Sequence, residues 1–141
     1  MKNALHSVEA YEAFVYSIKD RYPEIEVSTL VIVRRGPHQC QLQGSVQFVR
    51  DIVLRVYERV DFVECKIAYY SYEVQQGEST LYWYDPQPHP DDVTLASTHP
   101  HHKHIHPDIK HHRIPAADLS FDVPNLPFLI EEVIAMLRNN A

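Results

Sequence analysis

Imidazoles and cationic side chains crowd one stretch of this chain, His99-Pro100-His101-His102-Lys103-His104-Ile105-His106-Pro107-Asp108-Ile109-Lys110-His111-His112-Arg113, which holds seven of the ten histidines. No core-forming requirement produces such a run, because histidine is costly to bury and titrates near neutrality. Three chemistries are open to it: coordination of a metal, transfer of protons, and presentation of switchable positive charge to phosphates. The plain alternative is a solvated, His-rich surface loop.

Metal spacings can be tried first. His104-Ile105-His106-Pro107-Asp108-Ile109 matches the start of the HxHxDH metallo-hydrolase signature, but Ile109 stands where its last histidine belongs and no glycine-rich context precedes it. An HExxH zinc helix is absent, and Pro100 and Pro107 oppose a regular helix through the tract. In an extended segment His102, His104 and His106 project to one side, with His99 and His101 on the other. Three imidazoles so placed could hold a divalent transition metal such as zinc, manganese or nickel. The chain has no glycine-rich phosphate loop and no GxSxG elbow, and neither cysteine neighbours a histidine, which disfavours nucleoside triphosphate chemistry and serine hydrolysis.

One carboxylate stands out beside the histidines. Leu54, Val56, Val60 and Phe62 share a strand face, and Glu58 sits on that face between them, where a charge needs a partner. It is either an inward charge protecting a sheet edge or a group tuned for acid, base or imidazole-orienting work.

The elements that must position these groups follow from the hydrophobic pattern. Ser7 caps a helix with Glu9 in its first turn and Val8, Tyr11, Phe14, Val15 and Ile18 at helical spacing, and Tyr22-Pro23 closes it. Residues 25–33 read as an interior strand, and Gly36-Pro37 turns it. Cys40 to Phe48 alternates as a strand with one wet face, Arg50-Asp51 turns it, and a third strand runs from Val53 to about Phe62. Lys66 to Gln75 and Ser79 to Asp85 form a hairpin through Gln76-Gly77-Glu78. Five of the nine tyrosines and the single tryptophan lie on that pair, as cross-strand aromatic packing favours or as a stacking surface for bases. Proline-rich 85–92 leaves the sheet as a loop. Asn125 caps a final helix whose Leu126, Leu129, Ile130, Val133, Ile134 and Leu137 keep one apolar face, with Pro127 in its first turn and Arg138 in its last.

The expected fold is α+β, an antiparallel meander of about five strands flanked by an N-terminal and a C-terminal helix that cover one sheet face. With 141 residues, 45% hydrophobic, the chain makes a single domain over 1–141. No run approaches a membrane span and the start lacks the apolar core of a signal peptide, so a cytoplasmic protein with no membrane partner is expected. Cys40 and Cys65 read as buried thiols of a reducing compartment. A formal charge of −6 is the wrong sign for coating nucleic acid nonspecifically, although a basic loop on an acidic body can still offer a local phosphate site.

Taken in order, the Gly44-Ser45 strand, Glu58, Tyr70-Ser71-Tyr72, Tyr84-Asp85, the pair Pro88-His89 and then Pro100-His101-His102-Lys103-His104 resemble the TumE family, the toxin halves of small prokaryotic toxin-antitoxin pairs. The resemblance covers about residues 40 to 110, and Pro-His-His-Lys-His is its most specific part. It implies a cytoplasmic toxin silenced by an antitoxin encoded beside it, with a ribonuclease-like activity. The sequence departs from the family at Trp83, where an arginine is expected before Tyr-Asp, and in the further histidines His106, His111 and His112.

On this reading the protein is an RNA-cleaving toxin. His101, His102 or His104 serve as acid and base, and Lys103 stabilises charge on the phosphate. Asp85 and Glu58 orient imidazoles, Tyr72 or Trp83 stacks on a base, and His89 joins Lys103 and Trp83 in holding substrate. These side chains are expected to converge on one cleft. No cofactor is required; the partners are the cognate antitoxin and RNA, and a homo-oligomer is left open. The alternative, from another class, is a non-catalytic module that binds a transition metal through His102, His104 and His106 or binds a protein.

Overall fold

The computed structural model describes residues 3–86 and 101–139. A short 3-10 helix, Ala4–His6, leads into α1 (Val8–Tyr16) and α2 (Ile18–Arg21). The strands are β1 (Val27–Ser28), β2 (Val31–Arg34), β3 (Gln39–Gln47), β4 (Ile52–Asp61), β5 (Lys66–Gln76), β6 (Ser79–Asp85), β7 (His102–His104) and β8 (Arg113–Pro115), and α3 (Leu126–Asn139) closes the chain. All eight strands join one antiparallel sheet in the order β1-β3-β4-β5-β6-β7-β8, with β2 also paired to β3. The class is the α+β meander expected from the pattern.

The sheet has more strands than the expected five for two local reasons. The segment read as one interior strand is an interrupted edge: β1 and β2 both pair with β3, and Val27 and Val31 lie open to solvent. The break sits against Gly44, where φ is +134° and a Cβ would stand 2.4 Å from the Thr29 carbonyl oxygen. The other additions, β7 and β8, come from the His-rich stretch read as a loop; three-residue strands are too short to leave a period in the sequence.

The turns follow their chemistry. Arg50 and Asp51 both have positive φ, 61° and 58°, as a type I′ turn demands, and Gly77 at 57° opens the two-residue hairpin between β5 and β6. Ser7 Oγ accepts from the Ala10 N–H at 3.1 Å, the expected helix cap. Asn125 does not cap α3 with its side chain, which instead binds both backbone groups of Ser120 and the Tyr72 hydroxyl. Cys40 is buried, and burial beside Glu58 pushes its thiol up to about 12. Cys65 corrects the buried reading, because it is exposed in the β4–β5 turn with φ of 56°.

Period two along each strand divides the sheet into two faces. Leu42, Val46, Leu54, Val56, Tyr72 and Val74 line the core face, where they pack with Tyr11, Phe14 and Val15 of α1 and Leu129, Ile130 and Val133 of α3. Burying these side chains contributes about 1.5–3 kcal/mol each, so the helices are held to this face by ordinary core packing. Gln43, Arg55 and Arg59 point the other way and are exposed. Among the described residues no helix is long and apolar enough to cross a membrane.

Candidate functional site

Glu58 is the deepest charge-bearing group on the helix-covered face, with no solvent exposure. Its strand β4 lies between β3 and β5, so protection of a sheet edge is not its role. Tyr11 of α1 donates to Oε1 and Tyr72 of β5 donates to Oε2, while Asn125 Nδ2 donates to the Tyr72 oxygen at 3.1 Å. Burial holds the Glu58 carboxyl above its ordinary range, and the two tyrosine hydrogen bonds oppose that shift. Both phenols are pushed well up, by burial first and by the Glu58 charge second, so they remain donors. The cluster ties α1, the sheet centre and the start of α3 together.

Two further groups stand on the same face. Lys103 Nζ lies 3.0 Å from Glu132 of α3 and 4.3 Å above the Tyr82 ring, and Tyr84 donates to the same carboxylate at 2.8 Å. His101, just before β7, shares a hydrogen bond of 2.5 Å between Nδ1 and the Tyr70 hydroxyl. Its ring stacks on Tyr70 at 5.7 Å and meets Phe121 at 4.6 Å. Burial, then the Asp85 charge, raises the Tyr70 phenol, which therefore keeps its proton. Tyr70 and His101 thus meet at one rim of the sheet.

Across the sheet lies a second constellation. His104 Nε2 is 3.1 Å from Asp85 Oδ2 and its Nδ1 is 3.1 Å from the Ile109 carbonyl oxygen. Trp83 stacks on the His104 ring at 4.1 Å and donates Nε1–H to the same Asp85 oxygen at 3.2 Å. Both His104 nitrogens therefore face oxygen atoms. His104 and Asp85 are 3% and 9% exposed, and His102, opposite Asp85 in the register, is fully buried. This arrangement pins β7 to β6.

A family model described as Toxin TumE matches residues 15–139. The chain belongs to this toxin family. The comparisons with curated proteins and with solved structures returned no match.

The TumE-like motif does not form the single cleft expected of it. Register pairs Tyr72 with Tyr84 and Tyr84 with Lys103, and pairs Trp83 with His104 and Asp85 with His102. Alternation then sends Glu58, Tyr70, Tyr72, His101 and Lys103 to the helix side, and Trp83, Asp85, His102 and His104 to the open side. Glu58 consequently orients tyrosines, not an imidazole, and Tyr72 is buried against it instead of being available to a base. Asp85 is hydrogen-bonded to an imidazole, that of His104. Lys103 is engaged by Glu132, which a phosphate would have to displace. His106 Nε2 bonds the Thr80 carbonyl oxygen at 2.7 Å, away from His102 and His104, and among the described residues no group of three or more His, Cys, Asp or Glu gathers as a metal site. His89 lies outside the described residues.

Sequence reasoning passed over Tyr70, Tyr11, Asn125 and Glu132 as members of the site. Tyr70 was within reach, since it pairs with Glu58 across β4–β5 and shares its face with Tyr72. Tyr11 and Glu132 sit on helices and carry no signal that says which strand they will meet.

Proposed function

We propose that the protein is the RNA-cleaving toxin of a toxin-antitoxin pair, acting in the cytoplasm and silenced by its cognate antitoxin, with His101 as the catalytic acid and base. Membership of the toxin family supports the toxin role and its antitoxin. One observation carries the choice of His101: it is half-buried at the rim, whereas His102 and His104 are buried. A general base must come within hydrogen-bond reach of the hydroxyl it deprotonates, which a ring sealed in the sheet does not do.

Tyr70, through its hydrogen bond, and Phe121, through ring contact, hold the His101 ring, so that its approach to a phosphodiester is set before substrate arrives. Asp85 and His104 act on position alone, by fixing β7 and hence the residue that precedes it. No metal or cofactor enters this scheme.

Induced alone in a bacterial host, the protein is expected to arrest growth, and co-expression of the cognate antitoxin is expected to restore it. Unimpaired growth at high soluble expression would count against the toxin reading. Arrest that persists undiminished in His101→Gln would instead favour a toxin that acts by binding and not by catalysis.

A further inference from the structure

We infer that the sheet face left uncovered by the helices is a platform for single-stranded RNA that leads to the His101 rim; this rests on the RNA-cleaving reading above. The register lays out its side chains in rows across the strands. One row runs Val33, Gln41, Arg59, Tyr69; another runs Ser45, Arg55, Glu73 and Trp83 and ends where Trp83 stacks on the buried His104. Between them Gln43, Tyr57 and Ser71 form a third.

Charge favours a polyanion. Arg35, Arg55 and Arg59 have no carboxylate within 4.0 Å among the described residues; Arg35 bonds Gln41 and Arg55 bonds Gln75. Glu73, Asp61 and Asp85 share this face and keep their charge, but their oxygens are turned to other donors, Glu73 to Thr80 and Gln75, Asp61 to the N–H groups of Val63 and Glu64, and Asp85 to His104 and Trp83, which leaves the guanidinium groups available to phosphates. A cluster of arginines thus faces outward from a chain whose formal charge is −6.

The rings favour a single strand. Tyr57 and Tyr69 meet edge to face at 6.1 Å, and the Arg59 guanidinium lies 5.2 Å over Tyr69. Half-buried aromatics beside guanidinium planes stack unpaired bases, which a duplex keeps hidden. Tyr69 neighbours Tyr70 in sequence, and Tyr70 holds His101. Tyr69 and Tyr70 point to opposite faces of β5, so a strand lying on the Arg59 and Tyr69 end of the face reaches the proposed catalytic ring by turning over the rim of the sheet.

The test uses full-length protein carrying His101→Gln, to keep the probe intact, and a fluorescein-labelled oligouridylate of about 12 nucleotides followed by anisotropy. Arg59→Glu is expected to weaken binding about tenfold or more and to flatten its salt dependence, and Tyr69→Ala about fivefold or more. Lys19→Glu, an equal charge change exposed on the helix side, is expected to stay within about twofold. Probe binding that ignores both face substitutions, or no binding at all, overturns the platform. Cleavage of RNA by the otherwise wild-type protein is followed in parallel with Arg59→Glu alone: undiminished cleavage leaves the RNA-cleaving reading standing while the platform falls, and absence of wild-type cleavage removes that reading itself. If Arg59→Glu abolishes antitoxin capture and spares RNA binding, the face belongs to the antitoxin.

Discussion

Replacing His101 by Gln is expected to lower RNA cleavage by about a hundredfold or more, the scale on which removal of a general acid or base is felt. Gln keeps a planar polar side chain of similar reach but cannot take and return a proton. The fold should tolerate it, because His101 sits at the rim and its contacts to Tyr70 and Phe121 are those of one ring among several. Thermal unfolding of the variant measured beside its single-turnover cleavage separates the two effects. A variant that unfolds as wild type and cleaves a hundredfold more slowly fits; one that cleaves as wild type removes His101 from the chemistry.

Glu58→Ala is expected to be the most destabilising single change in the site, costing about 2–6 kcal/mol. Two buried tyrosine hydroxyls would each lose their acceptor, at about 1–3 kcal/mol apiece. That is a large share of the about 5–15 kcal/mol that holds a domain of this kind together. Glu58→Gln keeps one acceptor oxygen and should cost less.

The pair of variants also carries a pH signature. Burial raises the folded-state value of the Glu58 carboxyl above its ordinary 4.5, so the neutral form is the one the fold prefers. Its contribution to stability is complete below the unfolded value and is lost as pH rises through the raised folded value. Urea unfolding at about pH 4.5 and about pH 8 should therefore show wild type losing ground to Glu58→Gln at the higher pH. The opposite trend would mean that the carboxylate form is the one stabilised.

Both outcomes depend on geometry that was only partly written in the chain. The helical period of Val8, Tyr11, Phe14 and Val15, the paired left-handed residues Arg50 and Asp51, and the lone carboxylate Glu58 among apolar neighbours each announce a local structure, because each is a short-range requirement. The need of Glu58 for a partner was equally legible. The identity of that partner was not, since Tyr11 lies 47 positions away and arrives by helix packing.

The expectation of one cleft failed on strand alternation. His101 and Lys103 must leave an extended segment on the side opposite His102 and His104, as reading the tract as extended already required. Applying the same rule to Tyr84 and Asp85 would have divided the site in two. What no periodicity revealed is that the segment is extended because it adds a strand to the sheet beside β6, with Asp85 and His104 as the clasp. Trp83 gains its meaning only there, as the ring on which His104 stacks.

The most direct test is cleavage of a single-stranded RNA by the purified protein in the presence of excess EDTA, wild type against His101→Gln. Cleavage that persists under chelation in wild type and falls by about a hundredfold or more in the variant is the predicted result. Cleavage abolished by EDTA and restored by zinc or manganese, or equal in the two proteins, would contradict acid-base chemistry by His101.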